Sequence, residues 1–109
     1  MLKSLFIATV FSAFSLCAAH PDFQDCARYV RDSEEEEPRH ITTKLKVYGL
    51  YKQAMLGDCD EGIDTSKEDV YVKLKHEAWC SRFGMSKDQA ETEYVVLIDE
   101  LVPDWRLRQ

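Results

Sequence analysis

Beyond residue 20 the apolar positions recur at intervals of three and four, and strict alternation is never sustained, so the chain predicts helices and not strands. Phe23, Cys26, Ala27 and Val30 fall at i, i+3, i+4 and i+7 and define a first helix. The run Glu34 to Glu37 followed by Pro38 ends it, because like charges repel and proline pushes its predecessor out of the helical region. A second helix is predicted from Ile41 to about Leu56, with Ile41, Leu45, Tyr48 and Met55 as its stripe and Gly57-Asp58 as its stop. After a polar connection the third runs from about Lys67 to Arg82, with Ser66 as its cap. It carries Val70, Leu74 and Ala78 on one face, with Val72, His76 and Trp79 beside them, and Gly84 breaks it. Ser86 and Gln89 form a capping box for a fourth helix carrying Ala90, Tyr94, Leu97, Ile98 and Leu101, which Pro103 closes. The expected architecture is an all-α bundle of four helices.

The first nineteen residues follow a different pattern. Lys3 precedes a long stretch of apolar and small residues ending Cys17-Ala18-Ala19, which reads as a secretory signal cut before His20. The stretch is shorter than the roughly 20 residues a membrane span needs, and no second one follows. Residues 1–19 are therefore expected to be an address, and 20–109 a single domain delivered to the secretory lumen or outside the cell. Removing Lys3 makes a chain of net charge −6 one unit more acidic. That balance argues against a general nucleic-acid binder, which needs a positive surface for phosphate. Of four cysteines, Cys17 leaves with the signal. Cys26, Cys59 and Cys80 are an odd, widely spaced set that reads as helix substitutions, with no bridge expected.

Candidate chemistry concentrates on the second and third helices. Tyr48, Tyr51 and Lys52 stand at i, i+3 and i+4, so two rings and an ammonium share one face. Rings offer a stacking surface for a flat base, and the lysine a point charge for phosphate. Taken alone, such a face is more often core edge and solvated surface. Lys73 to Trp79 likewise reads as an amphipathic helix in which basic residues lead into an aromatic.

Together, however, these stretches resemble a known family. Tyr48-Gly49-Leu50-Tyr51-Lys52-Gln53-Ala54, then Gly57-Asp58, is similar to the YxxYKQA…GD signature of acyl-CoA-binding proteins. Lys75-His76-Glu77-Ala78-Trp79 resembles the family's KW[DE]AW segment. Gly84 to Ala90, with Tyr94 beyond, resembles its GxSKE[DE]A…Y segment, and the likeness runs from about Phe23 to Leu101. The resemblance implies an up-down-down-up four-helix bundle that holds a long-chain fatty acyl-CoA as a monomer, with no catalytic step, cofactor or metal. It implies a ligand site made of Tyr48, Gly49, Leu50, Tyr51 and Lys52 on the second helix and Lys75 on the third. Tyr94 on the fourth, and Ala27 and Arg31 on the first, complete the implied set. The expected function is an exported carrier or buffer of acyl-CoA; the alternative is an exported interaction or signalling protein on the same fold with weakened ligand binding. CoA carries about four negative charges, so placed cations must hold it even on an acidic protein.

This chain departs from the family pattern at His76, where the family usually has Trp, and at Tyr71, where it has a lysine. The connection Cys59 to Asp69 also lacks the family's Arg-Pro-Gly. Other chemistry is weaker. His76 and Cys80, at i and i+4, are half of a zinc site, but the sequence offers no evident further ligands. Asp58 to Asp69 fails as a calcium loop because Ile63 occupies the position that needs glycine. No activating context surrounds any cysteine as a nucleophile.

Overall fold

A computed structural model of the protein describes residues 19–33 and 39–109. The secretory-signal reading, apart from Ala19, and the acidic helix break at 34–38 lie outside the described residues. Four α-helices are present: α1 (Phe23–Ser33), α2 (Ile41–Leu56), α3 (Val70–Cys80) and α4 (Lys87–Leu101). A 3-10 turn, Trp105–Arg108, follows, and there is no strand among the described residues. The protein is the all-α, four-helix bundle that the periodicity predicts.

Local chemistry sets the helix limits. Gly57 ends α2 at φ 81°, a left-handed conformation that glycine adopts without a Cβ penalty. Helix α3 starts later than expected: Asp69 caps it, accepting from the Val72 N–H at 2.9 Å. Ser66 instead donates its backbone N–H to Asp64, so the residues before Asp69 form turns. Ser86 caps α4 through the Gln89 N–H at 3.1 Å. The Gln89 side chain turns outward to Glu93 instead of back to the cap, so only half of the expected box is made.

The core lies where α4 meets α2 and α1. Phe23 and Cys26 of α1, Leu50 and Ala54 of α2, and Ala90, Tyr94, Val95 and Ile98 of α4 are buried together. On α2 the buried band is Gly49, Leu50, Gln53 and Ala54, and the predicted stripe is not: Ile41 is 45% exposed and Met55 41%. The reason is that α2 packs against both α3 and α4, so its buried band faces the two contacts at once. Helix α3 buries no residue fully, and Val70, expected on its inner face, is 70% exposed. What lets α3 approach closely is Gly49: a Cβ there would overlap the backbone carbonyl of Ala78.

Three ties fasten the α2–α3 corner. The Gln53 amide donates to Asp58 at 2.9 Å and to the Met85 carbonyl at 2.7 Å. Asp58 also accepts the Gly84 N–H at 2.8 Å, and that bond, with the Gln53 bond, holds its carboxyl below the usual carboxylate range. The Trp79 indole donates to the Gly57 carbonyl at 2.8 Å. The third tie is covalent. Cys59 and Cys80 form a disulfide with Cα atoms 5.3 Å apart, which corrects the expectation of no bridge. They stand 21 positions apart, and sequence spacing gives no sign that the loop folds back onto the end of α3. Cys26 is free and buried, and burial, helped by the Asp99 charge, pushes its thiol up to about 12.

The C-terminal turn is an addition the helical pattern does not predict. Trp105 is buried beneath α1, its indole donating to Asp99 at 2.8 Å. Arg106 bridges Asp99 and Asp22 at 2.7 and 2.9 Å.

Candidate functional site

A cavity of about 430 Å³ opens between the first two helices and α4. Two helix faces build most of its wall. Gln24, Ala27, Arg28 and Arg31 fall at i, i+3, i+4 and i+7 on α1, and Lys44, Val47, Tyr48 and Tyr51 repeat that spacing on α2. Val30, Arg39 and Tyr94 complete the lining. The floor is aromatic, formed by Tyr51 and Tyr94 with their rings 6.3 Å apart, and the buried Phe23 backs it, meeting Tyr94 edge-on at 5.3 Å and Tyr51 at 6.3 Å. Tyr94 is almost wholly buried, and burial raises its hydroxyl well above the ordinary tyrosine range, so it stays a neutral phenol.

Around this apolar floor stand four cationic side chains, Arg28, Arg31, Arg39 and Lys44. Arg28 pairs with Asp25 at 3.1 Å and Arg31 with Asp32 at 3.2 Å, and all four of these side chains are more than half exposed. Pairs of this kind contribute about 0–1 kcal/mol, so either arginine can turn to an anion at little cost. Phosphate is a natural partner for such a fork.

A smaller cavity of about 230 Å³ lies on the other side of Tyr48, which lines both. Its walls are Val72, Lys75, His76 and Trp79 of α3 and the connection Ile63, Asp64, Thr65 and Glu68. Lys75 lies over the Tyr48 ring at 5.0 Å and the Tyr71 ring at 5.3 Å. Lys52 lies over the Trp79 ring at 4.9 Å and the Tyr48 ring at 5.9 Å. Tyr48, Lys52 and Lys75 thus form one cluster of cations on aromatic faces.

The sequence-predicted site residues divide accordingly. Ala27, Arg31, Tyr48, Tyr51 and Tyr94 line the larger cavity, and Lys75 the smaller. Lys52 borders them through Tyr48 and Trp79. Gly49 and Leu50 line neither: both are buried, Gly49 against α3. Sequence reasoning missed Gln24, Arg28, Lys44 and Val47, although their i, i+3, i+4, i+7 register with the recognised residues was readable. Arg39 had no such signal, since it precedes α2 and reaches the cavity from outside any helix.

Residues 20–98 match the family described as Acyl CoA binding protein. The chain belongs to the acyl-CoA-binding protein family. It is similar to Diazepam-binding inhibitor-like 5 of Mus musculus, 45% identical over 58 residues that cover 53% of this chain and 66% of the relative. The Acyl-CoA-binding protein of Saccharomyces cerevisiae is 43% identical over 61 residues, with the same coverage of each. That of Dictyostelium discoideum is 33% identical over 79 residues, 72% of this chain and 90% of the relative. The chain thus spans a little under two thirds of the first two relatives and most of the third. The acyl-CoA-binding protein family is one of non-catalytic carriers. Within this family member the signature residues do two kinds of work. Gln53, Gly57, Asp58 and Trp79 tie the α2–α3 corner, whereas Tyr48, Tyr51, Lys52 and Lys75 present rings and charge to the cavities.

Proposed function

We propose that the protein binds long-chain fatty acyl-CoA in the 430 Å³ cavity and carries it, as a monomer, in the secretory lumen or outside the cell, without turning it over. The observation that carries this reading is the meeting of an aromatic floor with cations from α1, from α2 and from Arg39 just before it. The nucleotide stacks on the rings of Tyr48 and Tyr51, and its phosphates are held by Lys52, Lys75 and the arginines of α1. The acyl chain takes the apolar positions, where each buried CH₂ stabilises the complex by about 0.8 kcal/mol. His76, in place of the family's tryptophan, offers a smaller ring at the edge of the second cavity and therefore a looser wall.

One observation supports export, and a second shows what cleavage would change. The Cys59–Cys80 bridge belongs in an oxidising compartment. The backbone N of His20 also lies 3.0 Å from Glu91 Oε1. Cleavage after Ala19 turns that N into the chain's α-ammonium, and a peptide N–H bond to the carboxylate into an ion pair. Among the described residues no helix is long and apolar enough to cross a membrane.

Calorimetric titration with palmitoyl-CoA, free CoA and palmitate tests the carrier reading. Nanomolar-to-micromolar binding of the ester with weak binding of palmitate supports it; no heat with any of the three overturns it in favour of an interaction role. Tyr51→Ala and Lys52→Ala should each weaken the ester by at least tenfold, about 1.4 kcal/mol. Sequencing the mature N-terminus tests cleavage, with His20 as the expected first residue.

A further inference from the structure

Beside the smaller cavity three side chains with metal-ligating atoms converge. The Cys59 and Cys80 sulfurs and a ring nitrogen of His76 all lie within 4.8 Å of one another. His76 and Cys80 share a face of α3, with Nε2 3.4 Å from Sγ. Cys59, which the sequence left unconnected to them, arrives from the connection after α2. In the oxidised chain the sulfurs are bonded to each other, so neither is the thiolate that a metal requires.

We propose that Cys59, His76 and Cys80 form a two-state site: a disulfide under oxidising conditions and, once a dithiol has opened it, a Cys2His site for Zn²⁺. In the opening step the dithiol supplies two electrons and two protons. The Cys59–Cys80 bond breaks, the reductant closes its own disulfide, and two thiols result. Zn²⁺ then displaces the two thiol protons, forming two Zn–S bonds and one Zn–N bond to His76.

The geometry suits the ion. Tetrahedral zinc with bonds of about 2.3 Å to sulfur and 2.0–2.1 Å to nitrogen sets sulfur and nitrogen roughly 3.6 Å apart. The His76–Cys80 separation of 3.4 Å is already close to that edge. The two sulfurs must part to roughly 3.8 Å on the same bond lengths. With Cα atoms 5.3 Å apart, rotation of the cysteine side chains achieves this while the backbone stays in place. Three protein ligands leave a fourth position for water, the pattern of zinc sites that keep a position open. The consequence is that the same clip between the connection and α3 persists in both redox states, as a covalent bond when oxidised and as a metal bridge once a dithiol has reduced it.

Cobalt is the probe, because thiolate–Co²⁺ bonds absorb in the near ultraviolet. The full chain is reduced with a dithiol, desalted without oxygen, and titrated with Co²⁺ and then Zn²⁺. The reduced chain should take up one equivalent of Co²⁺ with a thiolate charge-transfer band that Zn²⁺ abolishes, and the oxidised chain should show none. His76→Ala should weaken Co²⁺ at least tenfold, and Cys17→Ser with Cys26→Ser should leave it unchanged. A reduced chain without the band, or a Cys59→Ser/Cys80→Ser variant that keeps it, overturns the proposal. So does loss of the helical circular dichroism on reduction in the presence of Zn²⁺.

Discussion

Helix α2 is gripped from two sides, and the grips differ in kind. Against α4 it sets Leu50 and Ala54 among Ala90, Tyr94, Val95 and Ile98, all buried. Full burial of a Leu, Ile or Val contributes about 1.5–3 kcal/mol each, so this contact is driven by apolar area. Against α3 there is no such reserve, because α3 buries no residue completely. It is held by the Cys59–Cys80 bridge, the Trp79 indole bond to Gly57 and the close approach over Gly49. A contact of the first kind resists any single small change. One of the second kind rests on a few separate ties and loosens as each is lost, and it is the one that walls the smaller cavity.

The largest effect should come from the first grip. Ile98→Ala removes a side chain with no exposure, and should cost about 2–5 kcal/mol, read from denaturant unfolding. A cost below 1 kcal/mol would mean that the α2–α4 contact is not the main core. Removing the bridge with Cys59→Ala/Cys80→Ala should cost roughly 3 kcal/mol on the loop-entropy account, given a separation of 21 residues. Here the distribution sharpens the comparison. Hydrogen exchange should rise in α3 and the connection before it, while the amides of α2 and α4 keep their order of protection.

The same division governs what could be read in the sequence. Helix α4 was legible because it has one dry face, and Ala90, Tyr94 and Ile98 mark it at helical spacing. Helix α2 was legible in extent but not in orientation. With contacts on two sides it carries no single stripe, and its buried positions include Gly49 and the polar Gln53. Helix α3 was placed with a start too early, since Ser66 and Asp69 are both competent caps and only the fold of the connection chooses Asp69. The bridge was invisible, because Cys59 and Cys80 meet through that same fold. Within the site, Tyr48, Tyr51, Lys52 and Lys75 came from motif resemblance, whereas Arg28 and Lys44 were readable from register alone.

Gly49→Ala probes the second grip from the backbone. In an open helix the change would gain about 1 kcal/mol of propensity. Here the new methyl meets the Ala78 carbonyl, so a net loss of about 1–3 kcal/mol is expected in thermal unfolding. A stabilised variant would show that α3 yields freely.

A smaller effect appears on the acid limb. The Gly84 and Gln53 hydrogen bonds depress the folded pKa of Asp58. Its contribution is therefore present above its unfolded value and is lost as pH falls from there through the folded value. Asp58→Asn should lower stability near neutrality and flatten the profile over that acid range, so that the two chains converge at low pH. An unaltered profile would mean that the α2–α3 corner does not depend on this charge.

The smallest expected effect separates the processed chain from the unprocessed one. In a chain beginning at His20 the α-ammonium faces Glu91, whereas in the full chain the same nitrogen is a peptide N–H. Glu91→Gln keeps an acceptor but removes the charge. It should therefore cost the processed chain a few tenths to 1 kcal/mol, as a partly exposed pair does, and the full chain less. Raising the salt concentration should shrink that difference, since screening acts more on a full ion pair than on a peptide N–H donating to the same carboxylate. Equal costs in the two chains, at low salt, would show that the new terminus does not reach Glu91, and would leave α1 anchored to α4 by its buried side chains and the Arg106 bridge from Asp22 to Asp99.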